Sequence, residues 1–397
     1  MRLLRLQLAD YRNFHRLDLS LGPGASVFIG ANAQGKTNLL ESIYLLATMK
    51  ELRAESEAQV IRREVAADPI PAARVVGEGE TAAGPLKVEV AVVGREGGSG
   101  LIASKTAKVN GVPKRLSDAV GRLTAVLFTA ADIDLISGAP SARRRYIDIT
   151  LSQVDSRYVV ARSRLERVIA QRNHLLKRMR EGLAQADELS FWDAELARDG
   201  GYVFAVRSAA LSELAALAGE AHASLAPAEE LRVDYRPRLE GKTAESLRDA
   251  DSAAAAYGEA LRRGVPRDVA AGMTLQGPHR DDIAFFLDGE PAAGFSSRAQ
   301  QRTIALALRL AEARLLEARR GEPPLLLLDD ILSEMDAARG RSVIEAVSAY
   351  DQLLITATGL ERFPDGFLDR AAVFRVTAGA VSVAASQPVA SRGTAES

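Results

Sequence analysis

The 397-residue chain predicts an α/β fold with mixed sheets and an inserted helical arm, and three observations carry that prediction. An apolar run at residues 26–29 ends in Gly30-Ala31-Asn32-Ala33-Gln34-Gly35-Lys36-Thr37 and passes into helically spaced residues 38–43. A second apolar run, Leu325-Leu326-Leu327-Leu328, ends in Asp329-Asp330 near the other end of the chain. Between them, residues 152–226 hold the longest tract of helical spacing.

The first run reads as a strand, and G-x-x-x-x-G-K-T between a strand and a helix is a phosphate cradle. Glycine lets the backbone curl so that successive N–H groups point inward, and the helix N-terminus adds its positive dipole end. Lys36 then reaches the β- and γ-phosphates, and the Thr37 hydroxyl is placed to ligate Mg²⁺. Ala33 stands where many such loops carry another glycine; its methyl group fits if the local φ is negative. Magnesium takes octahedral oxygens, so a second carboxylate source is needed, and Asp329 supplies it. Asp330 is then positioned to polarise an attacking water. This is the pattern of a P-loop protein that binds a nucleotide and Mg²⁺, with a large insert between its two motifs.

Composition narrows the alternatives. Apolar residues at 47% and charged residues at 26% are ordinary for a globular protein. No apolar run reaches the length of a membrane span, and Met1-Arg2-Leu3-Leu4-Arg5 lacks a signal-peptide core, so the cytoplasm is expected. With 0 cysteines there are no disulfides, thiolate metal sites or cysteine nucleophiles, and 4 scattered histidines leave little room for a histidine metal site. A net charge of −1 confines any nucleic-acid surface to a local patch.

In order, Leu4, Leu6 and Leu8 alternate as a half-buried strand, Asp10–Phe14 is a turn, and Leu17 and Leu19 alternate again. The phosphate-loop strand and a helix to about Met49 follow. Residues 75–112 read as an antiparallel meander closed by an Asn110-Gly111 hairpin. Residues 124–128 form a buried strand. Pro140-Ser141 suits a helix start, and Arg143, Arg144 and Arg145 after it cannot share one helix face. They read equally as a solvated or salt-bridged turn and as phosphate contacts. The 152–226 tract, interrupted near Gly182, reads as two antiparallel helices, either a hairpin arm or a helical core. A strand near 231–235 and a helix near 252–263 come next. Asp288-Gly289 is a turn, and residues 295–303 open an apolar helix. Leu353-Leu354-Ile355-Thr356 is another buried strand, and the tail from about Ser386 is expected to be disordered.

Seven segments recur in this order: the P-loop, 137–148, Gln171-Arg172-Asn173, Phe191-Trp192-Asp193, Gly277-Pro278-His279-Arg280-Asp281-Asp282, 297–303 and 329–336. Together they resemble the RecF family of bacterial DNA replication and repair proteins, across residues 6–376. The resemblance implies an ABC/SMC-type ATPase head: residues 1–150 and 273–383 form the head, 151–272 the arm, and 384–397 the tail. It implies a homodimer sandwiching ATP, with catalysis by Lys36 and Asp330 and metal binding by Thr37 and Asp329. Nucleotide contacts would come from Arg12, Gly30, Ala31, Asn32, Ala33, Gln34, Gly35, Lys36, Thr37 and Asn38. A signature segment of the second copy, including Ser297, Arg298 and Gln300, and a D-loop ending in Asp336 would complete the site. Ser297 at a helix N-terminus can donate to the γ-phosphate. Thr356 stands where ABC proteins carry a switch histidine, and Asp330 replaces their glutamate, which predicts slow turnover. Ala33 and Ala299 leave both phosphate-facing loops one glycine short of the family pattern.

By the same resemblance the partners are single-stranded or gapped DNA, RecR and RecO, and the outcome is RecA loading with SOS induction. Arg143, Arg144 and Arg145 are the candidate DNA contacts. Two rival readings are an SMC-like structural tether, for which an arm of this length is short, and a P-loop ATPase acting on a non-nucleic-acid partner. The second has no use for a signature segment paired with a D-loop.

Overall fold

The computed structural model describes residues 1–52, 56–97, 100–335 and 337–385. The chain divides into two compact units: Met1–Ala130 with the stretch from Gly321 onward, and Ala131–Arg320. The expected boundaries at 150 and 273 are therefore corrected, because residues 131–150 and 273–320 group with the long helices. The reason is local. Helix Pro140–Ser152 is tied by Arg143 to Asp282, and by Asp148 to Arg207 on a long helix.

The first unit holds two sheets of six strands. One is antiparallel, running from the hairpin Arg2–Tyr11/Phe14–Ser20 through Ala72–Thr81, Gly84–Gly97 and Gly100–Val109 to Val112–Lys114. Its last turn has Asn110 at φ 49° and Gly111 at φ 79°, the left-handed pair that a two-residue hairpin requires. The other sheet is a parallel core. Across it run Ala371–Thr377, the phosphate-loop strand Gly24–Ile29, Gln352–Ala357, Leu325–Asp329 and Ala125–Thr129, with Ala380–Ala385 antiparallel on one edge. Leu325 to Asp329 are all buried, as are Gln352 to Ala357, which is why these strands read as continuous rather than alternating apolar runs.

The second unit is helical, with a small sheet of Leu231–Arg236, Asp282–Leu287 and Glu290–Pro291. Helices Ser156–Arg180 and Leu189–Leu225 are antiparallel, since Tyr202 reaches back to Asp155 and Asp193 to Arg172. Helices Ala250–Ala271 and Arg298–Arg320 also pack on Leu189–Leu225, so the expected helix pair belongs to a larger helical body. Gly200 and Gly201 permit this, because a Cβ on Gly201 would stand 2.6 Å from the Ala254 backbone. Among the described residues, the helical segment Ala186–Leu225 is the one long and apolar enough to cross a membrane, and more than half of its most apolar stretch is buried.

The run of three arginines resolves by depth. Arg143 is buried, with a two-pronged ion pair to Asp282 at 2.7 and 3.1 Å and bonds to the carbonyls of Leu135 and Gly138. That removes it from the DNA candidates. Arg144 is half-buried and donates to the Asp281 carbonyl at 2.7 Å, while Arg145 is exposed. The expectation that the three share no face holds. Arg172 is fully buried, donating to Asp193 at 2.7 Å, Asp268 at 2.6 Å and Thr274 Oγ1 at 3.0 Å. Replacing it leaves two carboxylates buried and unpaired, so Arg172→Leu should destabilise the helical unit by about 3–5 kcal/mol. The denaturant midpoint of that unit's transition measures the loss, and a shift under 1 kcal/mol (about the size of an exposed pair) would refute it.

Candidate functional site

The phosphate loop hangs from the C-terminal end of Gly24–Ile29 and closes onto helix Lys36–Thr48. Gly35 has φ 111°, and a Cβ there would meet the Asn13 side chain at 2.5 Å. A Cβ on Gly30 would collide with the Val376 carbonyl. Both glycines are thus fixed by close approach, one also by conformation. Ala33 has φ 64°, so the condition under which its methyl group fits without strain, a negative φ, is not met: the loop curls through the left-handed region at a residue carrying a methyl group. Such a residue costs roughly 1–2 kcal/mol relative to a right-handed conformation.

Bracing comes from outside the motif. Asn13 Nδ2 donates to the Gln34 carbonyl at 2.9 Å and Asn13 Oδ1 accepts from Asn38 Nδ2 at 2.8 Å. The Gln34 carbonyl also accepts from Gly379 N–H, and Gln34 Oε1 from Ala378 N–H. Asn13 was missed by sequence reasoning, which saw only a turn there.

The loop borders a cavity of about 470 Å³ lined by Asn32, Ala33, Gly35, Lys36, Thr37, Asn38, Ala130, Asp329, Asp330 and Ser333. Lys36 Nζ donates to the carbonyls of Gly30 and Ala31 at 2.6 and 2.9 Å, holding the ammonium inside the curl. Burial lowers its pKa, while Asp330 and Asp329 act in the opposite direction. Thr37 Oγ1 donates to Asp329, 2.9 Å from each carboxylate oxygen. With its proton committed, the hydroxyl turns its lone pairs away from the carboxylate. An all-oxygen pair of this kind fits a hard divalent cation such as Mg²⁺. Among the described residues no cluster of three or more His, Cys, Asp or Glu side chains offers another metal site.

Thr356 supplies the contact least visible in the sequence. Fully buried on the strand next to Leu325–Asp329, it donates to Asp329 Oδ1 at 2.9 Å and accepts from Asp330 N–H at 2.9 Å. Asp330, at φ 52°, follows the strand end and faces the cavity.

Other expected contacts lie elsewhere. Arg12 does not line the cavity; its guanidinium donates to the Gln59 carbonyl at 3.2 Å and pairs with Glu41 at 3.5 Å. Gly30, Ala31 and Gln34 shape the loop from behind. Ser297, Arg298 and Gln300 belong to the helical unit, where Ser297 precedes helix Arg298–Arg320 and is exposed. Asp336 and the tail from Ser386 lie outside the described residues.

Residues 2–377 match the family model described as RecF/RecN/SMC N terminal domain. The chain is 41% identical over 391 residues to the DNA replication and repair protein RecF of Roseiflexus castenholzii, covering 96% of this chain and 99% of that protein. It is 42% identical over 378 residues to RecF of Herpetosiphon aurantiacus, covering 92% and 95%. A solved structure of the recombination mediator protein RecF-ATPrS in the RecFOR pathway superposes with TM-score 0.84 at 27% identity, covering 97% of this chain and 98% of that one.

The strain at position 33 is directly testable. Ala33→Gly should relieve it and stabilise the first unit by up to about 1 kcal/mol, since part of the gain is offset by glycine's unfolded-state entropy. Thermal unfolding with and without nucleotide measures this, and a destabilised variant would contradict the assignment.

Proposed function

The chain belongs to the RecF family of DNA replication and repair proteins, and on that premise we propose that it is an ATP-driven dimer that grips DNA and lets go on hydrolysis. The observation that carries the reading is the cavity at the phosphate loop, where Lys36, Thr37, Asp329 and Asp330 meet. Lys36 would contact the β- and γ-phosphates, and Thr37 with Asp329 would hold Mg²⁺. The cation would neutralise charge on the phosphate oxygens. Asp330 orients the attacking water as general base. Its short side chain supports slow turnover, a switch rather than a motor.

Half of the site would come from a second copy, whose Ser297 donates to the γ-phosphate. In support, Ser297 is exposed at the N-terminal end of a 23-residue helix, where backbone N–H groups and the dipole favour an anion. Asp336 would cross the interface. DNA, single-stranded or gapped, would lie across the joined copies, held through its phosphates and hence sensitive to salt. Arg145, exposed, and Arg144, half-buried, are the members of the arginine run available for this. The protein would act in the cytoplasm with RecR and RecO, supporting RecA loading and SOS induction.

ATP should convert the monomer to a dimer on a sizing column. Lys36→Ala should abolish nucleotide binding, and Asp330→Asn should trap an ATP-bound dimer. A variant Asp330→Asn with unaltered hydrolysis and dimer lifetime would remove the role given to that carboxylate. Ser297→Arg should block dimerisation while sparing the ATP affinity of the monomer. Equal loss of both would place Ser297 in the wrong half of the site. DNA affinity, measured across a salt series, should fall linearly on a log–log scale and rise with ATP; no response to ATP would separate DNA binding from the switch.

A further inference from the structure

Ser297 is held by a chain of hydrogen bonds that begins at a buried histidine. The signature helix opens on a capping box, in which Gln300 N–H donates to Ser297 Oγ at 3.2 Å and Ser297 N–H to Gln300 Oε1 at 2.8 Å. The glutamine amide is anchored from its other side, because Gln300 Nε2 donates to Glu229 Oε1 at 3.1 Å. The second oxygen of that carboxylate lies 3.2 Å from His222 Nε2. His222 sits in the last turn of helix Leu189–Leu225, fully buried, and its Nδ1 has no hydrogen-bond partner.

Burial lowers the pKa of His222, with Glu229 opposing, so the ring is neutral at physiological pH. A neutral ring has one N–H, and the carboxylate beside Nε2 can only accept. The proton therefore sits on Nε2, and Nδ1 is left buried without a partner. Glu229 thereby spends one oxygen on His222 and the other on Gln300, and its side chain has little freedom left.

The consequence falls on the serine. Its main-chain N–H and one lone pair of its hydroxyl are committed inward to Gln300. The hydroxyl proton takes no part in the capping box. An unanchored Gln300 would sample several rotamers and hold the box only part of the time.

We infer that Glu229, backed by His222, is a positioning residue for the signature serine: it fixes Gln300, and Gln300 turns the Ser297 hydroxyl toward a phosphate carried by a second copy of the chain. The inference rests on the dimer reading above and adds to it residues that lie on neither the phosphate loop nor the signature segment.

Two measurements on the full-length chain test it. One is amide exchange across residues 297–300 without nucleotide; the other is the ATP concentration giving half-maximal dimerisation. Glu229→Ala should speed exchange at Ser297 and raise the ATP required about tenfold, the scale of one lost hydrogen bond to a charged group. The ATP affinity of the monomer should not move. Glu229→Gln keeps a carbonyl oxygen for Gln300, and His222 can meet the new amide by changing tautomer, so both readouts should return toward the unsubstituted chain. Unchanged exchange at Ser297 in Glu229→Ala overturns the inference. A chain that does not dimerise with ATP overturns the dimer reading itself. If it dimerises, and Glu229→Ala does so at the same ATP concentration, this inference alone fails.

Discussion

One hydroxyl fixes both acidic residues of the nucleotide site. Thr356 gives its single proton to Asp329 and accepts the N–H of Asp330, so it holds one carboxylate directly and the main chain that carries the other. Strand order makes this possible. Gln352–Ala357 lies between the phosphate-loop strand and Leu325–Asp329, in a register that sets Thr356 beside Asp329 on one side and Phe28 on the other. The leucine-rich strands serve that register: buried throughout, they cannot slip by a residue without repacking both faces. A histidine at position 356 would bring a larger ring into a fully buried strand site. The threonine trades that reach for rigid orientation of the Asp329 carboxylate.

The phosphate loop, by contrast, is held against its own backbone preference. Ala33 and Gly35 both lie in the left-handed region, and only the second is a residue that adopts it cheaply. Asn13 and Gln34 hold the curl from behind, through carbonyls and N–H groups of the loop and of the turn at residues 378–379. Strained conformations persist where the surroundings over-determine them, and here those contacts do so.

What was legible in the sequence was whatever a short window encodes. The G-x-x-x-x-G-K-T run, the leucine strand ending in two aspartates, the Asn110-Gly111 hairpin and the helix start at Pro140 each carry their own local physics. Asn13, Thr356 and Glu229 do not. Each acts through a partner far away in sequence, and only the fold brings them together. The arginine run shows the same limit from the other side. Nothing near Arg143 indicates that it is buried, because its carboxylate partner, Asp282, lies on a distant strand. The unit boundary near residue 130 was also hidden. Helix Pro140–Ser152 has ordinary amphipathic spacing, and its membership of the helical body is set by ion pairs to Arg207 and Asp282.

Those ion pairs explain why the family likeness extends beyond the nucleotide motifs. Gln171-Arg172-Asn173, Phe191-Trp192-Asp193 and Gly277–Asp282 belong to the helical unit and are not among the residues lining the phosphate-loop cavity. Arg172 joins Asp193 and Asp268, and Asn173 accepts from Thr274. Arg207, also buried, binds Asp148, Asp281, Tyr158 and the Pro278 carbonyl. A buried guanidinium with partners on three separate elements tolerates one arrangement, since shifting any element strands a charge. Stability alone would be served as well by apolar packing. The value of such networks is that they fix geometry. In this unit the geometry fixed is that of the body against which helix Arg298–Arg320 packs, and so the position of Ser297 at its start.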